Sequence, residues 1–268
     1  MKAEDAKNNA AVQAETGPKK AKRGKDKWLK VLYYAAGVML AFYAVQYITA
    51  FALYFIFGDK LTDMVASSVF STVISAVMYA VILVVVLVVP VRLFKQKLST
   101  KELGVQRWPS WMDILLSPAA FIVYMIAAAI LTTLAAGVLP WYDVNQAQDV
   151  GFSNDNLVSQ VDYILAFISL VVVAPVVEEM IFRGYLYGKL RGYVGIVVST
   201  LIVSVLFGVA HGQWNVGVNV FAMSLVLCGL RELTGNIWSG VLLHMLKNGI
   251  AYYFLFVNTT FLTNVMGG

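Results

Sequence analysis

The sequence predicts an all-α protein, a polytopic transmembrane helical bundle of seven or eight spans, and three observations predict it. Of 268 residues, 60% are hydrophobic and only 13% are charged, a balance far more apolar than that of a soluble domain. The apolar residues fall in long blocks rather than at amphipathic spacing: Val31 to Gly58, Met64 to Val91 and Ile114 to Tyr142 contain no Asp, Glu, Lys or Arg. Each block exceeds the roughly 20 residues that cross about 30 Å of hydrocarbon, where a helix satisfies every backbone group within one segment. Finally, basic residues are rich in alternate loops, as the ends of successive spans require. A soluble helical core shows polar outer faces, and these blocks show none.

Residues 1–27 read as a basic tail, rich in Ala, Lys and Asn and without apolar periodicity, for which disorder is the expected state. The apolar run that follows is too long for a cleavable signal peptide. Lys19, Lys20, Lys22, Arg23, Lys25 and Lys27 stand directly beside a span, so they read as a cytoplasmic anchor to anionic lipid, with no nucleic-acid partner. Residues 28–268 then form one membrane domain without an internal repeat. The single cysteine, Cys228, excludes an internal disulfide and reads as a small buried filler in an apolar run.

The loops orient the spans. The tail through Lys30 carries nine Lys and Arg, the segment Asp59–Asp63 one, and Arg92–Asp113 five, whereas Asp143–Asp162 has four aspartates and no basic residue. Arg183, Lys189 and Arg191 follow the fourth apolar segment, and the alternation places the amino terminus in the cytoplasm. Gly192 to Leu230 is long enough for two spans broken near Gly212-Gln213-Trp214-Asn215. Ile237 to Leu262 supplies the last span, or two helices if a second starts near Gly249. Counted from a cytoplasmic end at Arg191, Glu178 and His211 fall at unequal depths, about 20 Å and about 30 Å at 1.5 Å per residue. Bringing them to one site calls for tilt, a kink, or Gly184 to Tyr193 lying along the interface.

Ionisable groups inside a membrane are costly and mark function. The first cluster is Glu178-Glu179-Met180-Ile181-Phe182-Arg183. On a helix Glu179 and Arg183 share a face and form a structural pair, while Glu178 points about 100° away and stays free for chemistry. Pro175 lacks a backbone donor and kinks the helix beside Glu178. The second feature is Phe207-Gly208-Val209-Ala210-His211, the third His244-Met245-Leu246-Lys247-Asn248, and these hold the only two histidines. Two imidazoles, a carboxylate and an amide on neighbouring helices can bind a divalent metal such as zinc through His211, His244 and Glu178. They can equally position and deprotonate a water without one. Spacing leaves both mechanisms open.

Other intramembrane chemistries lack their residues. No His-Glu-x-x-His helix is present, no aspartate lies in a late span, and Ser239 sits five residues before His244, on a different helix face. Ser239 beside Gly240 reads instead as a packing device.

Glu-Glu-x-x-x-Arg, Phe-x-x-x-His and His-x-x-x-Asn, in this order on successive late spans, resemble the CAAX-protease and bacteriocin-processing family of intramembrane endopeptidases. The resemblance covers about Asp162 to Val257, and upstream Thr100-Lys101-Glu102-Leu103-Gly104 resembles a loop of bacterial members. It implies proteolysis within the bilayer, with a catalytic core at 162–257. It maps Glu178 to the water-activating base, His211 and His244 to water or metal contacts, and Asn248 to support or oxyanion stabilisation, with Glu179 and Arg183 as the structural pair. The expected protein is therefore an integral protein of a bacterial plasma membrane that cuts a membrane-anchored protein or peptide. The rival reading is a non-catalytic member of the same fold, acting in bacteriocin immunity or recruiting a partner.

Overall fold

Helix formation begins inside the stretch read as tail. In the computed structural model, which describes residues 18–93, 95–144, 146, 152 and 157–258 (for 18–25 and 93 the backbone only), helix α1 runs from Pro18 to Phe57. Residues 18–27 are thus helical rather than irregular, and 1–17 lie outside the described residues. The correction has a local cause: proline is pre-set for the first turn of a helix, and Lys and Ala are strong helix formers.

Among the described residues, six helical stretches are long and apolar enough to cross a membrane: Asp26–Val65, Ser68–Arg92, Trp111–Val138, Gln160–Ala210, Trp214–Thr234 and Trp238–Val257. We label the helices that matter here α2 (Ser68–Leu83), α3 (Trp111–Val138), α4 (Gln160–Phe167), α5 (Ala174–Glu179), α6 (Tyr187–Ala210), α7 (Trp214–Thr234) and α8 (Trp238–Tyr252). The expected break near Gly212 falls between α6 and α7, and the last span is one rod rather than two, because α8 continues through a π turn to Val257.

One stretch, Gln160–Ala210, is 51 residues long. At 1.5 Å per residue it would measure about 75 Å, over twice the hydrocarbon thickness. It does not run straight. Gly195 has φ 76° and ψ −179°, a backbone conformation open to glycine and closed to most other residues. The chain turns back there, so that Phe182 and Phe207, on opposite sides of the turn, bring their ring centroids to 4.9 Å. The six stretches therefore make seven crossings. The turn also settles the depth problem posed by a break at Arg191. Glu178 lies 17 residues before Gly195 and His211 lies 16 after it, so both reach one depth, about 25 Å from the turn.

Outward faces are apolar, as lipid contact demands: Phe55, Tyr47 and Phe51 are more than two-thirds exposed. The interior is where the polar groups sit, with Asp113, Glu179, Arg183, Ser199, Ser204, Ser224, Ser239 and His244 buried. Helix α7 packs between α6 and α3, and α8 lies against α3 and α7. A Cβ on Gly208 of α6 would meet the carbonyl oxygen of Gly217 on α7 at 2.9 Å, so these two helices cross backbone to backbone. The basic loops gather at one end. There Lys189 pairs with Glu102 at 2.6 Å, Arg231 donates to the carbonyls of Lys101 and Glu102, and Arg191 pairs with Glu232. Trp108 stacks on Trp238 at this end, and Trp141 meets Trp214 at the other, as aromatic belts do.

Candidate active site

The site begins with a broken helix. The chain from Gln160 runs as α4, loosens into a π segment at Ile168–Val173, tightens into α5 and loosens again at Met180–Leu186. Pro175 stands at the start of α5, where its missing N–H removes a rung of the ladder. The expected kink thus takes the form of wide turns on both sides of the two glutamates. Wide turns of this kind recur at functional sites because they re-aim side chains without ending the helix.

Glu179 is fully buried and accepts a hydrogen bond from Arg183 Nη1 at 2.8 Å. The guanidinium lies over the Phe207 ring, 4.2 Å from its centroid, which offers a buried cation an electron-rich face. Glu179 has a second duty that the i, i+4 spacing does not reveal. Its Oε1 lies 3.1 Å from Nδ1 of His244, across to α8. With a proton on Nδ1, the imidazole presents the lone pair of Nε2 to the other side. That nitrogen stands 3.9 Å from Oε2 of Glu178. The two adjacent glutamates therefore grip one histidine from opposite edges, one to orient it and one facing it across a gap.

Glu178 does stand apart from the arginine, but it has a partner of its own. Tyr79 on α2 donates its hydroxyl to Oε1 at 3.0 Å. His211, at the end of α6, accepts no side-chain contact from the glutamates. Its Nδ1 lies 2.8 Å from the Phe207 carbonyl, which fixes the ring, and among the described residues no hydrogen bond engages Nε2. Phe207 joins the two histidines, its ring edge-on to His211 at 4.8 Å and to His244 at 5.9 Å. Asn248 points elsewhere: its Nδ2 donates to the carbonyl of Leu170, in the π segment behind Glu178, at 2.9 Å.

Ser239 is occupied. Its hydroxyl donates to the buried Asp113 at 2.6 Å, which also holds Arg107. Cys228 is buried, as a packing residue should be. Among the described residues no group of three His, Cys, Asp or Glu stands closely enough to hold a metal ion as the side chains are placed. What the donors do frame is a space between a carboxylate and an imidazole, suited to a water. Two residues were assigned no role from sequence. Tyr79 carries no local signal beyond being a hydroxyl in an apolar span. Lys247 carries a clear one, a charge in the middle of α8.

Residues 160–250 match the family model described as "Type II CAAX prenyl endopeptidase Rce1-like". Over 141 residues the chain is 26% identical to "Putative membrane peptidase YdiL" of Bacillus subtilis (strain 168), covering 51% of this chain and 54% of that protein. It is 25% identical over 152 residues to "Membrane-embedded CAAX protease MroQ" of Staphylococcus aureus (strain USA300), covering 54% and 58%. The chain thus spans somewhat over half the length of the curated relatives it matches. No solved structure matches it significantly.

Proposed function

We propose, from the likeness of residues 160–250 to the CAAX prenyl endopeptidase model, that the protein is an intramembrane endopeptidase, in which Glu178 activates a water against a peptide bond with His244 and His211 beside it. The observation that carries this reading is the facing pair of Glu178 Oε2 and His244 Nε2 at 3.9 Å, with Glu179 holding the far nitrogen at 3.1 Å. A water seated between them can give its proton to the carboxylate, the ordinary first step of general-base hydrolysis. Tyr79 fixes the carboxylate from its other oxygen, so the base is aimed before substrate arrives.

The substrate class is a membrane-anchored protein or peptide that enters from the bilayer. A cavity of about 590 Å³ between α3 and the α6–α7 turn, lined by Leu131, Leu134, Val205, Val209 and Phe221, gives an apolar segment room beside His211. The orientation proposed is amino terminus in the cytoplasm, with the end that bears Lys101, Lys189 and Arg231 on that side.

The test is substrate trapping. Cells carrying Glu178→Gln should accumulate uncut membrane peptides that disappear with the wild type, and purified wild type should cut the same peptides in detergent. Retention of activity in a strong chelator supports glutamate-based water activation, whereas loss of activity that zinc restores replaces it with metal chemistry. Identical peptide profiles in both strains favour the non-catalytic reading.

A further inference from the structure

A groove at the basic end of the bundle has no part in the site described above. It runs between α1 and the second spanning stretch, Ser68–Arg92, with a volume of about 240 Å³, and Tyr33, Tyr34, Gly37, Ala41, Val86 and Tyr185 help to wall it. From Tyr33 to Ala41 it follows α1 for eight residues, about 12 Å. Its middle is open at Gly37, where a Cβ would meet no atom within 4 Å. Away from the tyrosines the walls are Gly, Ala, Val and Pro, so a water inside would lack the two to four polar partners it needs. A partner helix, about 10 Å across, is far larger than the space. A single hydrocarbon chain suits both its width and its lining.

The mouth is polar and basic. The Tyr33 hydroxyl accepts a hydrogen bond from Gln96 Nε2 at 3.5 Å and keeps its own proton to donate, while Tyr185 donates to Gln96 Oε1 at 3.3 Å. Tyr34 stacks on Tyr193 at 6.0 Å, and Lys30 Nζ stands 5.3 Å over that second ring. Arg92 follows two residues after Pro90 of the groove wall. At this end Glu102 is paired with Lys189 and Glu232 with Arg191, whereas among the described residues no ion pair engages Lys30 or Arg92. Tyrosine and lysine at a membrane interface are ordinary by themselves. An open apolar slot directly beneath them is not, and cations above such a slot suit a lipid phosphate.

We propose that this groove binds one anionic phospholipid from the leaflet at the basic end, with its phosphate beside Tyr33, Lys30 and Arg92 and one acyl chain laid along Gly37 and Ala41. Tyr185 belongs to the π segment Met180–Leu186, two residues past Arg183. A lipid in the groove therefore braces the lower arm of the broken helix, and binding to the folded state alone raises its stability. This binding is independent of peptide cleavage, and no readout below depends on cleavage.

The test uses the full chain in phosphatidylcholine vesicles, with phosphatidylglycerol that carries a photoactivatable group on its acyl chain. Crosslinks should fall on residues 37–41 and 85–89. Unlabelled phosphatidylglycerol should displace them, and added phosphatidylcholine should not. Gly37→Leu fills the slot and should lose the crosslinks; it should fold, because its side chain enters open space and leucine favours a helix over glycine. Lys30→Gln and Arg92→Gln should each weaken capture by about fivefold, roughly what one basic residue near a membrane surface contributes. In detergent, phosphatidylglycerol should raise the melting temperature of wild type and leave that of Gly37→Leu unchanged. Crosslinks spread evenly over the lipid-facing helices, or displaced equally by phosphatidylcholine, overturn the proposal. So does labelling of Gly37→Leu equal to that of wild type. The same rise in melting temperature with inorganic phosphate alone would replace the lipid by a free anion, and equally overturns it.

Discussion

His244 is held at Nδ1 by Glu179, 3.1 Å away, on the same carboxylate oxygen that Arg183 reaches at 2.8 Å. One buried oxygen therefore serves two masters: it neutralises a guanidinium and sets the orientation of an imidazole. This double duty separates the two glutamates, which sequence alone distinguishes only by their angle on a helix.

Glu179→Gln should destabilise the protein by about 3–5 kcal/mol, since it strands a buried arginine without its charge partner. Glu178→Gln breaks no ion pair with Arg183 and should melt within a few degrees of wild type while losing cleavage. Thermal unfolding in detergent beside peptide cleavage gives both quantities. Equal destabilisation by the two variants, with activity kept in Glu178→Gln, would assign the roles the other way round.

His211→Ala and His244→Ala should each abolish cleavage, and the double variant should be hardly slower than either. Groups that act as one unit lose their joint effect on the first removal. Losses that multiply in the double variant would mean two independent contributions, and would split the site.

Tyr79→Phe removes the hydroxyl that donates to Glu178 and leaves the ring in place. It should cut kcat by roughly tenfold, about the 1.5 kcal/mol that one hydrogen bond to a charged group contributes, and should leave KM and melting temperature near wild type. In a Glu178→Gln background it should change nothing further. A tenfold loss that persists in that background would show that Tyr79 acts on its own.

The spans and the three motifs were legible because each is a local pattern: apolar length, and polar residues four apart in an apolar run. What the sequence did not display depends on contacts between distant segments. Tyr79 meets Glu178 across 99 positions, and Glu179 meets His244 across 65; no spacing rule encodes either. The turn at Gly195 was hidden for another reason. It sits in apolar sequence between two glycine-flanked segments, with charge at Arg191 drawing the expected boundary four residues early. Length and hydropathy measure how much chain can cross a bilayer, and they say little about where a glycine lets it reverse.

Orientation is open to chemical labelling. The lone native thiol, Cys228, is buried and should stay silent. A cysteine at exposed Val158 should react with an impermeant maleimide in intact cells, and one at exposed Lys101 should react only after lysis. Labelling of the Lys101→Cys protein in intact cells would invert the topology.

The reversal at Gly195 makes chain length a coordinate of the chemistry. Its two arms, 17 residues to Glu178 and 16 to His211, behave like the legs of a pair of compasses, whose points meet only when the legs agree. Deleting one residue from the second leg would draw His211 toward the turn by about 1.5 Å and swing it about 100° around the helix axis. The base and the imidazole would then face different walls, with every side chain of the site still present. Insertions and deletions between Glu178 and His211 are therefore tolerable only in compensated pairs, a constraint on evolution that substitution at the site residues cannot reveal.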